Sequence, residues 1–386
     1  MEYTIPYFLV FFVLLILYDI SKSRYSIEVG YLKPELSNAN IYEVAALLVY
    51  LCFFGLRGYL FTDCFEYQDR FEETINDKIE WDYSDFLIEP AFLFCIKIIG
   101  LFTDDYFVFQ FIWTIIDVVA LFYILKNETG RYFLLSFALL IPFFEGVQVN
   151  LLRNIKGILI FYYAIRYIRE QNLIKYLIAM AFGCMIHIGT FIFVPMYFFI
   201  NRNLKHCLLG ISLISIYLYF TNLSILNPIF VLLSSFMGGK VDTIVTQYLE
   251  STTSAGLTFG FFYRMFILII LLSKYDYLSR VNTIMLNTAI LYVCCNTAFN
   301  SILVMRDRFS ALFILGLVGI MPFIFESIRD NSIRKIIMAV NFVCILGFIY
   351  MPNSSVIAKY TNVITGIEKR SEAAARADEY FSNIDR

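Results

Sequence analysis

Charge is scarce in this chain. Asp, Glu, Lys and Arg make up 16% of its 386 residues, against about a quarter in soluble domains. Hydrophobic residues make up 60% and aromatics 18%, and the mean hydropathy of +0.71 excludes an ordinary water-soluble enzyme. No soluble domain of any size is left over. Metal-ligand patterns are missing too. There is no Asp-x-Asp, no His/Glu ligand pair and no Gly-rich phosphate loop, so neither a metal nor a nucleotide cofactor is predicted. The eight cysteines are scattered without disulfide or zinc spacing. Residues 3–17 lack a basic n-region and a small-residue cleavage pattern, so they read as a retained first helix rather than a signal peptide.

What remains is a multi-span membrane chain. Each span needs about 20 apolar residues, so the length accommodates roughly ten to thirteen transmembrane or re-entrant helices. Apolar runs fall near 3–19, 42–56, 86–102, 106–125, 132–146, 150–168, 174–200, 207–222, 259–272, 282–300, 309–325 and 335–351. The expected organisation is a single integral membrane domain, 1–351, and a charged C-terminal tail, 352–386. The net charge of −2 averages two faces and identifies no partner.

Loop charge orients the spans. Short connections rich in Lys and Arg stay cytoplasmic, which places Lys22, Arg24 and Lys33 inside and the N-terminus outside. Lys126 with Arg131, Arg166 with Arg169 and Lys175, Arg202 with Lys205, Lys274 with Arg280, and Arg329 with Arg334 mark further inner connections. Crossing parity then fails at two places. The run 174–200 has basic clusters at both ends, and the simplest repair breaks it near His187, Gly189 and Thr190 into two short helices meeting as a hairpin at the outer side. The run 86–102 has exterior signals at both ends, with Glu89 and Pro90 as start signals, and reads as a re-entrant or interfacial element.

The outer face then collects an acidic connection over 57–90, the turn from Glu145 to Arg153, the hairpin tip at His187, a long loop over 221–258, and the turn from Asn300 to Arg308. The first of these holds ten Asp/Glu against three Lys/Arg between residues 57 and 89, interleaved with Phe65, Tyr67, Phe71, Trp81 and Tyr83. Two readings suit it: rings and carboxylates facing water to bind sugar, or an amphipathic helix at the interface. Long loops such as 221–258 often act as lids.

Five basic residues sit at or inside the ends of apolar runs: Arg57, Arg153, His187, Arg264 and Arg306. A charge at membrane depth is costly, and by default it marks a functional site. Convergent guanidinium groups match phosphate oxygens bidentately, so the expected ligand is a lipid-linked polyanion such as a diphosphate. Arg308 at a helix start and Arg70 in a solvated loop read instead as surface residues.

These residues also occur in a familiar order. Arg57 with Asp63 and Tyr67, Glu89-Pro90-x-Phe92, Arg153-Asn154-x-Lys156-Gly157, Met185-Ile186-His187 and Arg306-x-Arg308-Phe309 resemble the EpsG/Wzy-type polysaccharide polymerases over about 57–325. The chain departs from the family where Gly58-Tyr59-Leu60-Phe61-Thr62 replaces a Val-Gly-x-Asp pattern, and where Asn154 stands for a common Gln. The resemblance implies an all-α polytopic glycosyltransferase of GT-C-like bundle architecture in a bacterial inner membrane, its active site facing outward. It further implies an undecaprenyl-diphosphate-linked oligosaccharide as substrate, with membrane lipid, a flippase and a chain-length regulator as partners, and no nucleic acid. In that chemistry Arg57, Arg153, Arg264 and Arg306 bind the diphosphate, and Arg153 stabilises its charge as it leaves. His187 is the first candidate for the base, with Glu89 and Asp63 as alternatives. An O-antigen ligase using the same donor and a lipid-linked sugar flippase are the competing readings. No internal repeat of the transporter type is evident.

Overall fold

The computed structural model describes residues 2–25, 40–76, 89–224 and 256–384. Regular structure among them is helical apart from two isolated bridges, Arg57 with Asn362 and Asn362 with Gly366. The chain is an all-α polytopic membrane protein. Among the described residues four helices are long and apolar enough to cross a membrane, Ile5–Lys22, Tyr106–Ala138, Tyr275–Ala298 and Asn331–Asn353. A fifth results if Leu303–Ala311 and Ile314–Glu326, bent by 63°, count as one span. Six further apolar helices have 10–17 residues, short of the roughly 30 Å hydrocarbon core at 1.5 Å per residue. The described chain divides into two compact units, one formed by Met1–Tyr197 with Ala339–Arg386 and the other by Phe198–Met338.

The first unit is built from local signals that the sequence carries plainly. Helix α1 (Ile5–Tyr25) buries Tyr7, Phe11 and Leu14 on one stripe. Helix α2 (Ile41–Gly55) starts with a capping box, in which the Asn40 side chain accepts from the Glu43 amide and the Glu43 carboxylate accepts from the Asn40 amide. Glu43 also pairs with the buried Lys126 near the far end of α5 (Tyr106–Thr129). Asp105 caps the start of α5, accepting from the Phe107 amide at 2.7 Å, and Gly130 closes it at a φ of +54°.

Helix α3 (Asp63–Ile75) forms where the acidic connection allowed either a sugar-facing loop or an amphipathic helix. It places Cys64, Tyr67, Phe71 and Thr74 on one buried face, the spacing of an amphipathic helix. Tyr67 and Phe71 pack with Phe92, Phe109 and Trp113 rather than facing water, and Phe65 stacks on Tyr59 at 5.4 Å. These three rings are therefore not a sugar platform, because apolar burial claims their faces. Trp81 and Tyr83 lie outside the described residues. Helix α4 (Pro90–Gly100) is only 11 residues long, about 16 Å, which agrees with an element that does not cross.

Three other expected connections differ. After the short α6 (Phe133–Ala138), Glu145 is buried inside α7 (Leu140–Asn150) rather than opening a turn, so the connection to α8 (Asn154–Arg169) narrows to residues 151–153. The stretch expected as a turn at 300–308 holds the helix Leu303–Ala311, with Arg308 in its last turn instead of its first. The tail is docked over its described part, 352–384. Gly58 donates to the Thr361 carbonyl at 2.8 Å, Val363 donates to the Leu56 carbonyl at 2.9 Å, and Tyr360 stacks on Phe53 at 4.4 Å. The helix Arg370–Ile384 adds Ala373 to a cluster with Tyr59 and Cys64.

The break at His187 is where it was expected. Helix α9 (Leu173–Ile186) starts at an Asn172 cap and ends where His187 turns extended, and a 3-10 helix, Ile188–Phe198, follows. The second segment runs back along the first: the Tyr176 hydroxyl donates to the Phe193 carbonyl at 2.5 Å and its ring meets Tyr197 at 5.3 Å. Small residues let the hairpin approach α8. A Cβ on Gly157 would lie 2.2 Å from Thr190 Oγ1, and one on Gly183 would lie 2.6 Å from Thr190 Cγ2. Close backbone approach at small residues is a common way for membrane helices to associate.

In the second unit, α10 (Lys205–Thr221), α11 (Phe259–Ser273) and α12 (Tyr275–Ala298) pack with the bent pair Leu303–Ala311 and Ile314–Glu326. Helix α12 is kinked at Asn282. Asn287 donates to the Ile200 and Arg202 carbonyls at 2.8 and 3.0 Å, tying the start of this unit to α12. Most of the expected loop 221–258 lies outside the described residues.

Candidate functional site

Three elements of the first unit meet where each begins or ends. Glu89 immediately precedes α4, Arg153 precedes α8, and His187 follows α9. Glu89 joins the other two: its Oε2 accepts from Arg153 Nη1 at 2.8 Å, and its Oε1 lies 2.6 Å from His187 Nδ1. The carboxylate side chain is 5% exposed, whereas Arg153 and His187 are 21% and 19% exposed. The acid is therefore covered while Arg153 and His187 reach toward solvent. Burial raises the Glu89 pKa, but the His187 hydrogen bond and the Arg153 charge outweigh it, so the carboxyl is held below its ordinary value.

Arg153 is framed by aromatic rings. Its guanidinium lies 5.7 Å from the Tyr67 ring centroid and 5.9 Å from that of Phe92, positions suited to cation–π attraction. Nη2 is 3.8 Å from Glu66, whose side chain is 68% exposed. That contact is long and solvated, worth about 0–1 kcal/mol. The buried Nε has no partner. The guanidinium is thus pinned on one edge by Glu89 and weakly held on another.

A carboxylate on Nδ1 fixes the imidazole with its proton toward Glu89 and leaves Nε2 with the lone pair, the arrangement a general base requires. Gly189 leaves room for this ring, since a Cβ there would lie 2.7 Å from Nε2.

The first unit also buries a charged group that is not centred on a basic residue at the end of an apolar run. Asp117, fully buried on α5, accepts from Lys156 Nζ at 2.5 Å and from Gln148 Nε2 at 3.0 Å, and Gln148 Oε1 accepts from the Tyr50 hydroxyl at 3.2 Å. The signal was available: Asp117 is the single charged residue in the apolar run 106–125, and an intramembrane carboxylate deserves the same attention as an intramembrane arginine.

The other predicted residues are distributed. Arg57 is 2% exposed; its Nη1 donates to the Phe54 carbonyl, its own carbonyl accepts from Gln110 at 2.8 Å, and Asp117, Tyr50 and Tyr106 are within electrostatic reach. It faces the interior and presents no open fork to a diphosphate, which corrects the expectation of direct binding. Asp63 opens α3, half-exposed, and accepts from the Thr62 hydroxyl at 3.3 Å. Arg264 and Arg306 belong to the second unit, where both act electrostatically on Tyr219. Arg306 Nε donates to Asp307 at 2.8 Å, and Arg264 Nε is buried without a partner. Among the described residues no group of three or more His, Cys, Asp or Glu is placed to hold a metal ion.

Comparison with known proteins identifies a family. No curated protein and no solved structure matches the chain. The family model of the EpsG family matches residues 40–363, a span that contains Arg57, Arg153, His187, Arg264 and Arg306. The chain belongs to the EpsG family, the family of Wzy-type polysaccharide polymerases.

Proposed function

We propose that the chain polymerises oligosaccharide repeat units carried on undecaprenyl diphosphate, at the outer face of a bacterial inner membrane. The observation that carries this reading is Glu89 bound at once by Arg153 and His187, which couples an anion-binding cation to a base through one buried carboxylate. In the proposed step a sugar hydroxyl of the incoming unit attacks the anomeric carbon of the donor. The new glycosidic bond forms as the bond from that carbon to the diphosphate oxygen breaks, and the electron pair leaves with the diphosphate.

Each residue has one task in this step. His187 Nε2 takes the hydroxyl proton, while Glu89 on Nδ1 holds the ring and stabilises the imidazolium that forms. Both Glu89 oxygens are already engaged, so orientation suits it better than acting as the base. Arg153 faces the departing diphosphate, trading its weak contact with Glu66 for phosphate oxygens and stabilising the charge that develops there. Because diphosphate is a good leaving group, no general acid is required. The proposed partners are the lipid-linked oligosaccharide, a flippase and a chain-length regulator.

Reconstitution in nanodiscs with a purified undecaprenyl-diphosphate repeat unit tests this. A ladder of glycans on gels is expected. Unchanged substrate, or a single transfer to a lipid A core acceptor, sinks the proposal. An Arg153→Ala protein that still gives a normal ladder removes the diphosphate role.

A further inference from the structure

The buried Lys156 and Asp117 pair has no direct place in that chemistry. Their side chains are 5% and 0% exposed, and removing two charges from water costs several kcal/mol per ion. A pair of apolar side chains fills such a site at least as stably. Stability therefore does not account for the pair, and its contacts point elsewhere.

Those contacts lead to the Glu89 cluster by two routes through a single ring. Lys156 Nζ lies 4.4 Å from the Trp113 ring centroid and donates to the Trp113 carbonyl at 3.3 Å. By the first route, Trp113 Nε1 donates to the Leu152 carbonyl at 3.1 Å. Leu152 adjoins Arg153, whose own carbonyl accepts from the Lys156 amide at 3.1 Å. The short turn that aims Arg153 is thus held from both sides. By the second route, Trp113 meets Phe92 edge to face at 5.6 Å. The Phe92 ring lies beneath the Arg153 guanidinium, and its amide donates to the Glu89 carbonyl at 3.1 Å.

We infer that Lys156 and Asp117 are positioning residues: their buried ion pair locks Trp113, and Trp113 sets the Arg153 turn and the start of α4 so that Arg153, Glu89 and His187 stay in register. Loss of the lock lets the turn and Glu89 move by fractions of an ångström, enough to slow a reaction that depends on alignment. Neither side chain touches substrate. This rests on the polymerase reading for its catalytic consequence, but its structural content stands apart.

The test uses full-length protein in nanodiscs with two readouts. The variants are Lys156→Met, Asp117→Asn, the double change Lys156→Met with Asp117→Leu, and the mild change Trp113→Phe, which keeps a ring and drops the bond to Leu152. Each charge-removing variant is expected to lower kcat at least tenfold with the donor KM within about threefold of wild type. Trp113→Phe is expected to lower kcat about threefold to tenfold. The double variant leaves no unpaired charge, so it should keep the thermal midpoint while kcat stays low. A double variant with wild-type kcat overturns the inference, as does a loss confined to KM. The second readout is hydrogen exchange, expected to quicken at 150–154 and 89–93 in the double variant and in Trp113→Phe. Unchanged exchange there overturns the inference whatever the gels show. If wild type makes no ladder, the polymerase reading fails and exchange alone decides the positioning role.

Discussion

Glu89 commits both oxygens, so its neighbours set its value. A Glu89→Gln change keeps the shape but leaves His187 without its anionic partner. We expect turnover to drop on the order of a hundredfold in the ladder assay, within the range typical of lost general-base help. The depressed carboxyl also predicts a pH response of the fold. A carboxyl held low in the folded state contributes stability that is present above its unfolded pKa and lost as pH falls through the lower folded value. Thermal midpoints of wild type should therefore fall on acidification through and below the usual carboxylate range, and Glu89→Gln should lose less over the same window. Glu66 gives a change in the opposite direction. It competes for Arg153 through a solvated 3.8 Å contact, so Glu66→Gln should lower the donor KM by about twofold to fivefold, the equivalent of the roughly 0.4–1 kcal/mol such pairs contribute at most; a raised KM would contradict the proposed trade. Arg153 and His187 stand out in the sequence because charge in apolar surroundings is rare, whereas Glu89 stands out only as a helix-start signal and through the family resemblance. Arg57 was legible as unusual but not in its direction, since the sequence carries no sign that its guanidinium turns onto the Phe54 carbonyl.

Among the elements, α8 and the α9 hairpin depend on one close approach. Gly157→Ala puts a methyl 2.2 Å from Thr190 Oγ1 but 3.4 Å from Thr190 Cβ. The clash is therefore with a hydroxyl that a second substitution can delete. We expect Gly157→Ala to cost about 1–3 kcal/mol by overpacking, seen as a lower thermal midpoint, and Thr190→Ala in the same chain to recover most of it. Failure of that rescue would show that the glycine serves something other than this approach. The hairpin break was readable because basic clusters at both ends of 174–200 forbid one crossing. Helix α3 was only half readable: its residues repeat with helical spacing, yet a mixture of acids and rings also suits a sugar-facing loop, and only the packing of Tyr67 and Phe71 against Phe92 and Phe109 decides it. The Gly157 approach was not readable, because the partner that makes the glycine necessary is 33 residues away in sequence.

For the whole molecule, the segment after residue 352 had looked like a charged tail because its composition is polar, and composition says nothing of docking. Two of its arginines should behave differently. Arg370 pairs with Asp69 at the surface, with both side chains well exposed, so Arg370→Ala should cost under about 1 kcal/mol. Arg376 is nearly buried and donates to the Val356 carbonyl at 2.9 Å, to the Tyr59 carbonyl at 3.3 Å and to Glu368. Its removal strands the Val356 and Tyr59 carbonyls and leaves the covered Glu368 with only the half-exposed Lys359, 3.2 Å away, so Arg376→Ala should cost about 1–3 kcal/mol, and chemical denaturation of the two variants side by side checks the contrast. The unit that holds Glu89, Arg153 and His187 is also discontinuous, its two parts separated by all of residues 198–338. A ribosome delivers Leu56 and Gly58 early, yet the backbone partners of the Leu56 carbonyl and the Gly58 amide, Val363 and Thr361, only some three hundred residues later. At about 5–20 residues per second, that interval lasts roughly 15–60 s, during which the peptide groups at residues 56–58 must wait in the nascent chain without their final partners.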